Sequence, residues 1–344
     1  MPTTHPEHVL AKSTQIFLSQ FQQCGFVYAF RKFLAITFLR KLSAHIEVAH
    51  ALSLPHTREL ARQHPRSAFK YLRKYLARSF DIHTRSAILS NHYRFLNNWI
   101  RPDFIGRICR GKIMLWECTT DEHRYGISLS YPKNEEGELF LEFSEDDAVI
   151  FTLSFTFAPG KALGLRDKQV SFIGRVQGVN NCWESIRRAT KSCQDIAPAT
   201  LLLDAVRAIS LSMNITGIVG VSASNQVCLC GSRKGTALSS YDEFWVSAGA
   251  SAINDLGYYL PTITEEKPLS EIKNNHRSRV KRKRQFRNAL TEKISTVFES
   301  QCTAPTLQVS SSRLTGMRFG NYSGTLVAMN DLSFATSASI TSQR

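Results

Sequence analysis

Three side chains with acid–base capacity stand in a row at Tyr241-Asp242-Glu243, followed by Phe244 and Trp245. Neighbouring carboxylates push each other's pKa values apart, so one can serve as acid while the other serves as base. The same residues also suit a helix start, with Ser239 or Ser240 as N-cap, the acids in the first turn and the aromatics packing inward. The helix-start reading is the preferred one. A second group, Gln177-Gly178-Val179-Asn180 with Asn225 further along, could present backbone N–H groups to an anionic cofactor, although it lacks a second glycine. Cys228 and Cys230 form a lone C-x-C, without the second Cys or His pair that a zinc site needs. His92 lies on an apolar stripe, where a histidine is expected to be a hydrogen-bonded core residue. No metal site is expected.

The remaining chemistry is charge. The 344 residues carry 43 Lys and Arg against 28 Asp and Glu, a formal net charge of +15. Residues 1–78 hold 12 basic and 3 acidic residues, and residues 273–287 hold eight basic residues and no acid. The rest of the chain is close to neutral. Within the second segment Arg277, Arg279, Lys281, Arg282, Lys283, Arg284 and Arg287 form a cationic run suited to an anionic membrane surface or to nucleic acid without sequence specificity. No RNA-binding aromatic signature or zinc finger accompanies it. No secretory signal or run of about 20 apolar residues is visible. The expected location is cytoplasmic, with peripheral attachment at the inner membrane as an extension of that reading. Eight cysteines in a chain of this length read as free thiols.

Elements must hold these groups in place. Residues 1–100 read as helical: Pro65 suits a first helical turn, Phe69, Leu72 and Leu76 follow at helical spacing, and Ile88, His92, Phe95 and Trp99 form a later stripe. From about residue 111 the period changes to two. Lys112–Cys118, Arg124–Tyr131, 138–144 and 148–157 read as strands, the last two forming an antiparallel hairpin across Glu145-Asp146-Asp147. Val170–Val176 continues the sheet. Helices at Trp183–Cys193 and from Pro198 to about Met213 follow, and Ile215–Val221 then reads as a buried strand, expected parallel to Val170–Val176 after a helical crossover. A long amphipathic helix is expected from Leu269, with Leu269, Ile272, His276, Val280, Leu290 and Ile294 on its apolar edge.

The fold class is therefore α+β: a helical N-terminal region plus a mixed, largely antiparallel sheet with crossover helices. The expected divisions are a helical basic region 1–105, an α+β core 106–265, a basic amphipathic helix 266–300 and a disordered Ser/Thr-rich tail 301–344.

A set of short motifs now becomes visible in order. They are His92-Tyr93-Arg94-Phe95-Leu96, Tyr131-Pro132, Glu136-Gly137-Glu138-Leu139, and Phe172-Ile173-Gly174-Arg175-Val176-Gln177-Gly178. Leu201-Leu202-Leu203-Asp204-Ala205-Val206-Arg207, Gly220-Val221-Ser222 with Asn225, and Ser240-Tyr241-Asp242-Glu243-Phe244-Trp245 follow. Tyr259-Leu260-Pro261 and Pro268-Leu269-Ser270-Glu271-Ile272-Lys273 complete the set. Together, over roughly residues 60–290, they resemble the VirK/YbjX family. That resemblance implies a virulence-associated protein supporting intracellular survival, antimicrobial-peptide resistance or envelope integrity, with no defined reaction and no catalytic residues to carry over.

The element order also resembles the acyl-CoA-dependent N-acyltransferases: a meander, crossover helices, a strand ending near Asn225, then Tyr241-x-x-Phe244-Trp245-x-x-x-Gly249. The resemblance implies acyl-CoA as cofactor, its pyrophosphate held by a glycine-rich turn at a helix N-terminus. The sequence departs there. Gln194-Asp195-Ile196-Ala197 precedes the helix at Pro198 without a glycine, and Asp195 places negative charge beside it. Two readings stand: an acyltransferase relative with a cleft near Gln177 and Val221, or a non-catalytic module docking an anionic surface through its basic helix.

Overall fold

The computed structural model describes residues 18, 20, 22–38, 41–120, 122–132, 134–228, 236–264 and 266–304, with backbone alone for 236–240. Of the tail expected to be disordered from 301, residues 301–304 are instead ordered, ending the last helix at Cys302 and pairing Thr303 with Ile100, while the rest of that tail and Cys230 of the C-x-C pair lie outside the described residues.

Among the described residues eight strands form one mixed sheet in the order β1-β2-β3-β4-β5-β6-β8-β7. They are β1 (Lys112–Thr119), β2 (Arg124–Ser130), β3 (Leu139–Glu145), β4 (Ala148–Pro159), β5 (Gln169–Gly178), β6 (Gly217–Val221), β7 (Ser251–Ile253) and β8 (Gly257–Pro261). The β1–β5 meander is antiparallel throughout. The hairpin between β3 and β4 closes on Asp146 and Asp147, both left-handed at φ 49° and 68°, the backbone of a two-residue turn whose twist matches the strands. β5 and β6 pair in parallel, as the strand–helix–strand order requires, in register from Val170↔Gly217 to Ile173↔Gly220.

The N-terminal helices are α1 (Phe26–Phe38), α2 (Leu42–Ser53), α3 (Arg58–Gln63), α4 (Ile82–Trp99) and α5 (Phe104–Arg110). The crossover from β5 to β6 contains α6 (Trp183–Ser192) and α7 (Pro198–Ser212), α8 (Thr236–Ser247) leads into β7, and α9 (Asn274–Cys302) follows β8. α4 packs on β4, and α7 packs on β3, β4 and β5. α9 lies over α7 and reaches β1. Being covered on both sides, α7 buries almost its whole circumference rather than one stripe. Residues from Ile36 to Cys302 share one hydrophobic cluster.

Three expectations shift. The segment after Pro65 is a 3-10 turn, Pro65–Leu72, and not a helix running to Leu76; Leu76 is buried with a left-handed backbone, φ 63°. The last helix starts at Asn274, and its first turns are exposed, His276 included; its core contacts are Leu290, Ile294, Phe298 and Cys302. α8 starts at Thr236, so Asp242 and Glu243 sit in its second turn rather than its first.

Candidate functional site

The parallel ladder stops at Ile173↔Gly220, while β5 continues to Gly178 with β4 alone beside it. The β4 ladder steps from Phe155↔Ile173 to Ser154↔Arg175, leaving Gly174 unpaired as a bulge. Only glycine fits there, because a Cβ would lie 2.2 Å from the Glu136 carbonyl oxygen, with the Leu76 carbonyl also close. Leu76 is held in its unusual conformation by donating its N–H to Glu135 O at 2.9 Å. Two residues on, Arg78 N–H donates to Asn225 O at 2.9 Å, and Ser79 N–H donates to Asn225 Oδ1 at 3.2 Å. A non-glycine residue at positive φ costs free energy and persists only where its surroundings enforce it.

The loop 134–138 supplies three acids to this place. Glu135 pairs with Arg73 at 3.3 Å on the surface. Glu136 is 1% exposed, pairs with Arg175 at 3.1 Å and accepts from Cys228 N–H at 3.3 Å. Glu138, also 1% exposed, pairs with Lys70 at 3.0 Å and accepts a short hydrogen bond from Tyr93 Oη. Burial alone would lower the Lys70 pKa, but Glu138 and Tyr131 outweigh it and hold the ammonium above its ordinary range. Burial, and then the negative Glu138, push the Tyr93 and Tyr75 hydroxyls well above the usual phenol range. A buried carboxylate without these partners would cost several kcal/mol, so Lys70 and Arg175 are what allow Glu138 and Glu136 to remain inside.

α8 closes the other side. Gly220 on β6 has no side chain, and the Trp245 indole fills the space, 2.4 Å from where a Cβ would stand. Tyr241 packs edge-on to Trp245, with ring centroids 6.2 Å apart. Burial raises the Tyr241 pKa, Gln226 opposes this, and the charge of Glu136 adds to it. The phenol therefore keeps its proton at neutral pH and can act as a donor. Gln226 and Trp245 act on the Tyr241 hydroxyl as hydrogen-bonding neighbours, while Arg175 Nε, and Arg78 Nε and Nη2, are buried without a hydrogen-bond partner among the described residues. Buried polar atoms are nearly always paired, so Arg175 Nε, on the guanidinium that holds Glu136, is a donor open to a further acceptor. Beside it, Ser222, Ser224, Asn225, Asn254, Asp255 and Tyr258 line an open depression of about 300 Å³ at the carboxyl end of β6.

The sequence candidates are divided by this geometry. Tyr241 faces the buried group. Asp242 instead accepts from Ala223 N–H at 2.9 Å, which pins the turn after β6, and Glu243 is exposed. Asn225 is buried and fully engaged: besides its bonds to the Arg78 and Ser79 N–H groups, it donates to Ser222 Oγ and, in a short bond, to Asp255 O. Gln177 accepts at its backbone carbonyl from Thr152 Oγ1 at 3.2 Å, and Gly178 lies against Ile186 and Phe151 where α6 closes on the sheet. The turn from Gln177 to α6 uses Asn181 at φ 63°, a conformation that asparagine tolerates in place of glycine.

The basic run is largely tied to its own chain. Arg279 pairs with Asp195 at 3.0 Å, and Arg284 with Glu266 at 2.9 Å. Arg287 makes a bidentate pair with buried Asp204, which Arg207 also contacts at 2.9 Å. Lys283 donates to the Asp195 carbonyl, and Arg277 to the Ser270 and Ile272 carbonyls. Lys281 and Arg282 are exposed. His92 is the core histidine its stripe implies, accepting at Nδ1 from Phe157 N–H at 3.0 Å. Among the described residues, no three His, Cys, Asp or Glu side chains converge as metal ligands. Sequence reasoning passed over Lys70, Arg175 and Glu138 as site residues and placed Glu136 in a turn. The alternation of acids with Gly137 was the available signal.

Among the described residues no helix is long and apolar enough to cross a membrane. No solved structure matches the chain. A relative from Escherichia coli (strain K12), described as "Uncharacterized protein YbjX", is 23% identical over 256 residues, covering 71% of this chain and 76% of its own. Residues 22–296 match the family model described as "Protein of unknown function (DUF535)". With most of its length inside that match, and in keeping with the VirK/YbjX resemblance of its motifs, the chain belongs to the DUF535 family.

Proposed function

We propose that this protein is an acyl-CoA-dependent acyl-transfer enzyme of the N-acyltransferase type, in the virulence, peptide-resistance or envelope-integrity role that the VirK/YbjX resemblance implies. The observation that carries the reading is the end of the parallel β5–β6 ladder at Ile173↔Gly220, with a bulge at Gly174 and a protonated Tyr241 beside it. Backbone groups released from a ladder pair readily with the amides of an extended ligand, and the arm of acyl-CoA is such a ligand. The N–H groups opening α6, after Asn180 and Asn181, face the kind of position where a pyrophosphate binds. Glu184 in the first turn of α6 and the missing second glycine are departures from that pattern.

In the proposed reaction an acceptor amine attacks the thioester carbon, the C–N bond forms and the C–S bond breaks. The proton released by the amine passes to solvent, the departing thiolate takes one from solvent, and the Tyr241 O–H donates a hydrogen bond to the sulfur as its charge develops. Arg175 and Trp245 offer donors toward the carbonyl oxygen. The alternative, a non-catalytic module docking anionic polymers through Arg277–Arg287, keeps Arg277, Lys281 and Arg282 as exposed cations with no acid partner among the described residues. A thermal-shift series with CoA, acetyl-CoA and long-chain acyl-CoA tests the enzyme reading. A ligand at about 100 times its Kd stabilises the folded state by about 2.7 kcal/mol, which raises the melting temperature by several degrees. No shift with any of the three removes the proposal.

A further inference from the structure

The open depression of about 300 Å³ at the carboxyl end of β6 is lined mainly by polar residues: two serines, two asparagines, Asp255 and Tyr258. Backbone contacts fix its walls. Val221 pairs with Gly257, and Ser222 N–H donates to the Leu256 carbonyl at 3.1 Å. The Asp255 carbonyl accepts from Ser222 Oγ at 3.4 Å and, in a short bond, from Asn225 Nδ2. Asp242 pins the Ala223 N–H and acts on the Tyr258 hydroxyl as a hydrogen-bonding neighbour. A volume held in this way needs little ordering to receive a ligand. It also adjoins the proposed acyl-transfer site. Tyr258 stands opposite Gly220 in the antiparallel ladder, and directly paired residues share a face of the sheet, so its ring lies on the side that carries Trp245.

The lining decides what fits. Among the described residues around the depression there is no Lys, Arg or His, so a carboxylate or phosphate would enter without a counter-charge. Ala252 and Gly257 offer too little apolar surface for an alkyl chain. Asp255 is exposed and makes no ion pair among the described residues, in a chain of net charge +15. Free amino acids, phosphorylated amines and alkylamines are therefore poor occupants. A hydroxyl-bearing ammonium fits: a carboxylate takes the charge, hydroxyls and amides take the ligand hydroxyls, and an aromatic ring takes the C–H face of a sugar. We infer that this depression seats an amino sugar as the amine acceptor of the acyl transfer. Its role as acceptor rests on the acyl-transfer reading, whereas the binding is measurable without acyl-CoA.

The test is a ligand-observed NMR titration of the full chain with glucosamine, glucose, N-acetylglucosamine and ethanolamine. Glucosamine is expected to bind. Glucose and N-acetylglucosamine lack the ammonium and should bind at least about tenfold more weakly, as should ethanolamine, which leaves most of the hydroxyl contacts unmade. Asp255→Asn should bring glucosamine down to the level of glucose. Its melting temperature should match the parent's, because the group of Asp255 that holds the walls is its carbonyl. The inference is overturned if glucosamine does not bind, if glucose or ethanolamine binds as tightly, or if Asp255→Asn binds like the parent. Glucosamine binding that depends on Asp255 supports the site even where acyl-CoA fails to bind, an outcome that removes only the acyl-transfer reading. Acyl-CoA binding without glucosamine binding overturns the inference and leaves that reading standing.

Discussion

Mild acid should destabilise this protein through two buried histidines. His92 accepts at Nδ1 from the Phe157 N–H at 3.0 Å, so its own proton sits on Nε2, which is buried without a partner among the described residues. Protonating Nδ1 would set two N–H groups against each other. Burial, with Lys70 adding to it, lowers the His92 pKa to about 3, and burial lowers that of His45 to about 4. An unfolded histidine titrates near 6.5. Below that value the unfolded chain binds more protons than the folded one, so stability is full above about pH 6.5 and falls as pH drops. At 1.36 kcal/mol per unit, each histidine removes about 3 kcal/mol by pH 4. Together they remove about 6 kcal/mol, a large part of a typical domain's stability. The carboxylates of Glu145, Asp81 and Asp146 titrate below their ordinary values, so the interval from pH 6.5 to 5 isolates the histidines. Urea unfolding across that interval should show stability falling by about 2.5 kcal/mol per pH unit near pH 5. His92→Gln keeps an acceptor for the Phe157 N–H but does not titrate, and should reduce the slope by about 1.3 kcal/mol per unit. An unchanged slope in that variant would refute the reasoning.

Other perturbations test the packing around the bulge. Gly174→Ala places a Cβ 2.2 Å from a backbone oxygen, and should cost at least about 1–3 kcal/mol in chemical denaturation. Lys70→Met or Glu138→Gln alone leaves an unmatched buried group and should cost about 3–5 kcal/mol, whereas the double variant should recover much of that loss; additive losses would contradict a coupled pair. Asp204→Ala removes the shared partner of Arg207 and Arg287, and should loosen α9 from α7, read as faster amide exchange in α9.

Period-two alternation in β3 and β4 makes the meander legible in the sequence, because successive side chains of a strand point to opposite faces of the sheet. The helices between β5 and β6 likewise imply the parallel pair. The segment after Pro65 is not legible: Phe69, Leu72 and Leu76 keep helical spacing, yet the chain leaves the helix because Leu76 bonds to Glu135 and its carbonyl packs against Gly174. Local spacing carries no information about partners about 60 to 100 residues away. The same holds for the site. Glu136 and Glu138 stand in a stretch that reads as a turn, and their cations come from residues 70 and 175. The basic run reads as free charge because Asp195, Asp204 and Glu266, which match three of its members, lie outside it.

The central claim is that the divergence of β5 and β6 receives an acyl-CoA. Photo-crosslinking with a benzophenone-bearing acyl-CoA, followed by peptide mapping, tests it most directly. The expected result is label on residues 174–182 and on the Tyr241–Trp245 turn of α8, competed away by unlabelled acyl-CoA. Absence of competable label, or label confined to α1 or α9, would contradict the account.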